Sequence, residues 1–472
     1  MPWPAVEAAD AACSNNSFDR GLQISMSKLF GTDGIRGRAG ESPLDDATVF
    51  NIGCAAAAVL TQKLGRPPRF VSGRDTRESG EHIETLFHSG AQSVGAAGES
   101  AGVITTPGVA YLTREFGFDI GVVISASHNP YVDNGVKLFL PSGQKLSQPD
   151  EEEIEKIVKD GRKISDVGSI SANLGVKTDY LSSYLDHLAA NFTGLDLSGS
   201  RIVVDCANGA ASGLAPELFG RFGANLIVIN ASPDGRNINK DCGSLHLEHL
   251  QARVVRENAD LGVAFDGDAD RALFVNENGK IVDGDATMWI LANDLKREGK
   301  LRSNKLVATV MSNIGLEKAL QSKGIELIRA PVGDKYVLEE LIKSGSEIGG
   351  EQSGHIIMPK NSLVGDGMMT ALSVLKVLAV SGKSLSGLVK GFETFPQILV
   401  NVRVSEKRPF DEVPEIVAAA KAVEGKLSGE GRMLLRYSGT ENLARVMIEG
   451  KDQGQIEQYA NELANVIKSA LI

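Results

Sequence analysis

Three times along the chain an apolar segment of β-branched residues and glycine runs into a polar loop: "DIGVVISASHNP" from residue 119, "DLGVAFDGDADR" from 260 and "SEIGGEQSGH" from 346. The first two open on the same order of residue types: Asp, Ile or Leu, Gly, Val. Each lies among alternating strand-like and helix-like segments, which predicts related α/β domains; chance likeness of short apolar strings is the competing reading. Between these loops, "TDYLSSYLDHLAANF" (178–192), "DATMWILANDLKREGK" (285–300) and "GLEKALQSKG" (315–324) carry apolar residues at helical spacing. "RIVVDC", "LIVIN" and "KLVATVMS" read as buried strands. After Phe395 the pattern changes to a strand "PQILVNVRVSE", a helix near 414–427, a hairpin "RMLLRYSGTENLARVMIEG" and a last helix from Gln455. That order describes a small α+β domain. Boundaries near 180, 283 and 395 divide the chain into 28–180, 181–283, 284–395 and 396–472, after a disordered extension over 1–27 in which Met26 is a candidate start.

Bulk composition adds limits. With 472 residues the chain exceeds one ordinary core, and 42% hydrophobic with 23% charged residues suits a soluble multidomain enzyme. No apolar run approaches the roughly 18 residues of a membrane span; the longest, "IGCAAAAVL", is small-residue helix material. Residues 1–25 lack the apolar core of a signal peptide. Cys13, Cys54, Cys206 and Cys242 form no CxxC pair, so neither a disulfide framework nor a zinc cluster is expected, and a cytoplasmic location fits. A net charge of -11 excludes nucleic acid as a general partner, so an anionic ligand needs arginines gathered locally.

Four places gather chemistry. "DGDADR" sets Asp266, Asp268 and Asp270 at alternate positions after a strand, where three carboxylates repel unless a cation neutralises them; hard oxygen ligands suit Mg²⁺. An EF-hand is rejected, because Arg271 stands where that loop needs glycine. "LLRYSGTENLARV" sets Arg436, Ser438, Gly439 and Thr440 in a strand-to-loop turn, a phosphate cradle or an ordinary turn. "FGTDGIRG" offers Arg36, and "SGRDTR" offers Arg74 and Arg77, for an anion or for ion pairs. "GEQSGH" combines Glu351, Ser353 and His355 for sugar hydroxyls or proton movement. The pair His246 and His249 falls in an amphipathic helical pattern and reads as structural.

The loop "ISASHNP" carries Ser127 beside His128. Neighbours on an extended chain point apart and no G-x-S-x-G elbow is present, which argues against a Ser-His dyad. No nucleotide-binding signature occurs either. A metal site, a phosphate cradle and an exposed serine together suggest phosphate moving between substrate and enzyme.

At this point the sequence resembles the α-D-phosphohexomutases, most closely those acting on glucosamine phosphates. "KLFGTDGIRG", "ISASHNPYVDNGVKLF", "DGDADR", "VGDKYV", "GEQSGH" and "RYSGTE" occur in that family's order and span the chain from residue 28. The resemblance implies three similar α/β sandwich domains and a smaller C-terminal α+β domain around a central cleft. It implies an isomerase, an intramolecular phosphotransferase interconverting glucosamine 6-phosphate and glucosamine 1-phosphate through a bound 1,6-bisphosphate. The product would feed UDP-N-acetylglucosamine and cell-wall synthesis. Ser127 is then the phosphoserine, and it joins Asp266, Asp268 and Asp270 around one Mg²⁺ per subunit. Lys137, Arg36, Arg271 and His355 match positions that stabilise the phosphoryl group or move protons. Glu351, Ser353 and His128 are expected at the sugar, and Arg436, Ser438, Gly439, Thr440 and Arg445 at the non-reacting phosphate. A bisphosphate sugar or a kinase is expected to activate the bare enzyme, and a homodimer is expected. Asn442 and Leu245 depart from the family's usual Pro and Thr. The alternatives are glucose or mannose phosphates as substrates, or an aspartyl phosphatase with Asp266 as nucleophile.

Overall fold

The computed structural model describes residues 28–31, 33–160, 174, 177, 179–438 and 441–471. The N-terminal extension and Met26, together with Gly439 and Thr440, lie outside the described residues.

The first sheet holds β1 (Ile35–Arg38), β2 (Arg69–Arg74), β3 (Ala97–Val103), β4 (Ile120–Ile124) and β5 (Asp133–Phe139), in the order β1-β5-β4-β2-β3. The second holds β6 (Arg201–Asp205), β7 (Asn225–Ile229), β8 (Leu261–Phe265), β9 (Ala272–Asn276) and β10 (Ile281–Val282), in the order β10-β9-β8-β6-β7. The third holds β11 (Lys305–Thr309), β12 (Glu326–Ala330), β13 (Gly349–Gly350) and β14 (Ile356–Ile357), in the order β12-β11-β13-β14.

The weak repeat seen in the sequence is a repeat of topology. In each sheet one strand pairs parallel to an earlier strand and antiparallel to the next: β4 with β2 and β5, β8 with β6 and β9, β13 with β11 and β14. The loop that turns each hairpin is "SASHNP", "DGDADR" or "EQSGH". Three equivalent loops therefore leave the same end of three equivalent strands, where open α/β sheets place ligands. One continuous apolar core, from Val71 through Leu261 to Leu385, runs through the three sheets and fixes their loops relative to one another.

The C-terminal unit is separate. β15 (Gln397–Arg403), β16 (Arg432–Tyr437) and β17 (Leu443–Glu449) form an antiparallel sheet in the order β15-β17-β16, covered by the helices Pro414–Leu427 and Gln453–Leu471 around their own core. Polar contacts join it to the third domain: Arg432 Nη2 donates to the Ser312 carbonyl at 3.1 Å, and Lys318 Nζ donates to the Gly429 carbonyl at 3.2 Å.

Two expectations change. "LIVIN" is not a buried strand, because β7 is an edge with β6 as its one neighbour and every residue is at least partly exposed. The apolar helix Asp46–Leu64, of 19 residues, is long and apolar enough to cross a membrane by length and composition. Its small residues have another use. A Cβ on Gly53 would stand 2.0 Å from the Phe87 carbonyl oxygen, and one on Gly90 2.0 Å from that of Phe50, so two glycines let this helix pack backbone to backbone on the helix Gly80–Ser93.

Gly53→Val should cost about 3 kcal/mol through forced separation of these helices, read as a lower urea midpoint. His88, buried beside them with Nε2 2.7 Å from Ser72 Oγ, is pushed down by burial to about 4. Its folded state therefore stays neutral while the unfolded chain takes up a proton below about 6.5. Stability from this group is complete above that pH and falls by about 3 kcal/mol as pH drops to 4. Urea melts of wild type and His88→Gln at pH 7.5 and 4.5 should show this component vanish in the variant.

Candidate active site

Ser127 lies at the start of the β4–β5 loop in a left-handed conformation, φ 52°, and is almost fully buried. A non-glycine residue there costs of order 1–3 kcal/mol and persists only where neighbours over-determine it. Arg77 supplies much of that hold. Its buried guanidinium pairs with Asp75 at 2.9 Å and donates to the carbonyls of Ser127 and Asn129 at 2.9 Å, Asp133 at 3.0 Å, and Pro130. From the second domain, Asn239 Nδ2 donates to the same carbonyls of Ser127 and Asn129, at 2.9 and 3.0 Å. Ser125 Oγ accepts from Ser127 N at 2.9 Å and donates to Asp75 at 2.6 Å.

The result aims the hydroxyl across the domain boundary. Ser127 Oγ donates to Asp266 Oδ2 at 2.5 Å. The geometry expected of extended neighbours fails here, because the left-handed turn brings His128 Nδ1 within 3.3 Å of the same oxygen. Burial, then the charges of Arg271 and Arg36, hold His128 down at about 4 and therefore neutral.

Asp266, Asp268 and Asp270 each offer an oxygen within 4.8 Å of the others, and all three are buried. A Cβ on Gly267 would stand 2.5 Å from the Ser127 carbonyl oxygen, so glycine lets the two loops touch. Burial, then Asp270 and Asp268, push Asp266 well above the usual carboxylate range. Burial alone would do the same to Asp270, but His355, Lys137 and Arg271 reverse it and hold it below that range. Asp268 Oδ2 accepts from Thr106 Oγ1 at 2.6 Å and Lys137 Nζ at 3.0 Å. Asp268 Oδ1 and Asp270 Oδ1 are buried with no hydrogen-bond partner. Three crowded carboxylates with orphaned lone pairs are the donor set of a divalent cation such as Mg²⁺.

Cations from three directions surround this cluster. Lys137 on β5, buried, touches Asp268 and Asp33 at 3.0 Å; burial would lower its pKa, but those carboxylates raise it. His355 Nδ1 lies 3.5 Å from Asp270; burial opposes its charge, yet Asp270 lifts it to about 9. Arg271 pairs across a β-bridge with His355 and lies 3.7 Å from Asp270. Arg36 is held by Asp33. Glu351 accepts from Gly333 N at 3.1 Å, and Ser353 Oγ is buried without a partner.

The expected phosphate residues form a separate place in the C-terminal domain. Arg436 and Arg445 are cross-strand partners on β16 and β17, Arg445 Nη2 donates to Ser438 Oγ at 3.3 Å, and Lys407 Nζ donates to the Ser438 carbonyl at 2.8 Å. Burial, then Arg445, lowers the pKa of Arg436.

For Arg74 and Arg77 the structure bears out the ion-pair reading and leaves the ligand reading aside. Arg77 is consumed by the Ser127 loop, and Arg74 pairs with Glu84 at 3.2 Å and Glu81 at 3.3 Å. Sequence reasoning missed Asp33, Thr106 and Asn239. Asp33 stood three positions before Arg36 in "FGTDGIRG", whereas Thr106 and Asn239 had no pattern of their own.

Models of the phosphoglucomutase/phosphomannomutase family match the chain in order: α/β/α domain I over 27–165, II over 182–279, III over 283–395, and the C-terminal domain over 399–466. Among curated relatives, a phosphoglucosamine mutase of Caldicellulosiruptor bescii is 48% identical over 94% of this chain and 100% of its own length. One of Solibacter usitatus is 49% identical over 93% and 98%. Among solved structures, a phosphoglucomutase/phosphomannomutase family protein of Burkholderia thailandensis superposes with a TM-score of 0.76 at 22% identity, covering 94% of this chain and 97% of its own. An Aspergillus fumigatus N-acetylphosphoglucosamine mutase, solved with GlcNAc-6P and magnesium, gives 0.67 at 19%, covering 96% and 98%.

Lysine offers three donors where Arg77 makes contacts to Asp75 and four carbonyls. Arg77→Lys should leave the fold intact and raise amide hydrogen exchange of residues 125–133 by about tenfold, equivalent to about 1.4 kcal/mol of local stability.

Proposed function

The chain belongs to the phosphoglucomutase/phosphomannomutase family, and on that footing we propose that it interconverts glucosamine 6-phosphate and glucosamine 1-phosphate with Ser127 as the phosphate carrier. The observation that carries the reading is the short hydrogen bond from Ser127 Oγ to Asp266, at 2.5 Å, inside a buried carboxylate triad with orphaned oxygens. The named relatives at 47–49% identity support glucosamine over other hexoses.

Phospho-Ser127 faces a hydroxyl of the bound sugar monophosphate. The P–Oγ bond breaks as a P–O bond to the sugar forms, and the proton released by that hydroxyl ends on Ser127 Oγ. The bound 1,6-bisphosphate turns over, and its other phosphate returns to Ser127 by the reverse step. Asp266, Asp268 and Asp270 would hold one Mg²⁺, which neutralises charge on the phosphoryl oxygens. Lys137, Arg36 and Arg271 add fixed positive charge beside the transferring group, and His355 is a buried proton donor. Neutral His128 sits against Ser127 Oγ, at 3.3 Å, as the nearest proton acceptor without charge. Glu351 and Ser353 take sugar hydroxyls, while Arg436, Ser438 and Arg445 hold the phosphate that is not reacting. A bare serine has no phosphate to give, so a bisphosphate sugar or a kinase primes the enzyme.

An aspartyl phosphatase would need an Asp266 oxygen open to attack phosphorus. Its oxygens instead accept from Ser127 Oγ and Arg271 N, at 2.5 and 3.2 Å.

Ser127→Ala should lose at least about 10³-fold in kcat, whereas a phosphatase acting through Asp266 would keep most of its activity. Coupled assays with glucosamine, glucose and mannose phosphates test the substrate; preference for glucose or mannose would sink the amino-sugar assignment.

A further inference from the structure

One ionic chain reaches the reacting groups from outside the roles given above. Lys145 Nζ donates to Asp33 Oδ1 at 2.6 Å in the first domain and to both oxygens of Asp334 at 2.7 and 2.8 Å in the third. Asp33 also holds Lys137 Nζ at 3.0 Å and the Arg36 guanidinium. A single ammonium therefore ties the third domain to the carboxylate on which two phosphoryl-facing cations rest.

Local structure explains the placement. Beyond β5 the chain turns back, with Leu140 N donating to the Gln144 carbonyl at 2.7 Å and Lys145 bridging Phe139, so residue 145 returns beside the strand that carries Lys137. Asp334 is the first residue of the helix Asp334–Ser344 and follows Gly333, whose N–H donates to Glu351 at 3.1 Å. The same loop of the third domain thus meets the sugar-loop carboxylate on one side and Lys145 on the other.

Packing does not secure this seam by itself. A cavity of about 380 Å³ opens beside the ion chain, walled by Phe139, Leu146, Leu338, Ile357, Leu363 and Val364. The ammonium is 12% exposed and its two carboxylates 26% and 22%, so bulk water screens them only in part. Removing the ammonium leaves Asp334 without its ion-pair partner and Asp33 with Lys137 and Arg36 alone, so the ionic bridge across the domain boundary is lost. Asp33 is then free to shift, and Lys137 and Arg36 move with it.

We infer that Lys145 is a positioning residue: through Asp33 and Asp334 it locks the first and third domains in the arrangement that aims Lys137 and Arg36 at the transferring phosphoryl group. This rests on phosphoryl transfer at Ser127 as proposed above. Displacing reacting groups by about 1 Å costs on the order of 10²-fold in rate.

The test compares Lys145→Met, Lys145→Arg, Asp334→Asn and the Lys145→Met/Asp334→Asn double variant with wild type, by steady-state kinetics and by hydrogen exchange of the full chain. Lys145→Met should lower kcat by about 10–100-fold with KM within about threefold, and Lys145→Arg should recover most of the loss. Both single neutralisations should speed exchange in strand Asp133–Phe139 and in helix Asp334–Ser344. The double variant should be no worse than Lys145→Met alone. Unchanged kcat in Lys145→Met, additive losses in the double variant, or a loss in Lys145→Arg equal to that in Lys145→Met would overturn the inference. Lack of wild-type turnover on any hexose phosphate would instead refute the reading at Ser127, and the exchange data would still decide whether Lys145 locks the domains.

Discussion

Three carboxylates in one buried loop are the constraint around which the molecule is organised. Asp266, Asp268 and Asp270 cannot all stay charged out of water without compensation, since burial and mutual repulsion favour protonation. The second domain, which carries them, supplies only Arg271 from its own loop. The rest comes from outside: Lys137 and Thr106 from the first domain, His355 from the third. Neutralising one loop therefore requires three domains to meet, and a shared apolar core runs through their sheets. Even so, Asp268 Oδ1 and Asp270 Oδ1 stay without hydrogen-bond partners, the demand that a divalent cation satisfies.

That economy explains the conformation of Ser127. A hydroxyl in an ordinary strand-to-turn geometry would follow the direction of β4; the left-handed φ turns it toward Asp266 instead. The strain is met by hydrogen bonds to backbone carbonyls, which bind the loop's path without using its side chains. Arg77 and Asn239 reach that path from two different domains, so the serine is held where the domains touch.

Much of this was legible in the sequence because it was written in local patterns. The three hairpin loops stood out as apolar runs ending in polar punctuation, and their topological equivalence follows from that shared grammar. Alternate aspartates announced a cation before any fold was known. Lone residues whose meaning is a long-range contact were illegible: Asn239, Thr106 and Asp33 carry no periodicity, and Ser127, Asp268 and Lys137, which they hold, lie far away in sequence. Arg77 was visible as an ion-pair residue, but its grip on four backbone carbonyls was not, because an arginine that binds an anion and one that binds carbonyls look alike in one dimension. The geometry of Ser127 and His128 was misjudged for a related reason, since a sequence does not display the sign of φ.

The contrast between the two cationic places completes the argument. Around the triad every cation has a carboxylate partner, so its charge is balanced before anything binds and serves to fix positions. In the C-terminal domain Arg436 and Arg445 face each other across adjacent strands, and the largely exposed Glu441 lies 3.7 Å from Arg445. Two guanidiniums in that register repel, and Lys407 adds to the excess. An anion placed there relieves repulsion rather than competing with an existing pair. On a chain of net charge -11 such an excess is local and built. The triad is thus charge-balanced before anything binds, whereas the arginine pair carries an excess that an anion would relieve. With no carboxylate triad beside them, these arginines would hold an anion by charge and hydrogen bonds alone, so that it could leave and return without any covalent bond breaking.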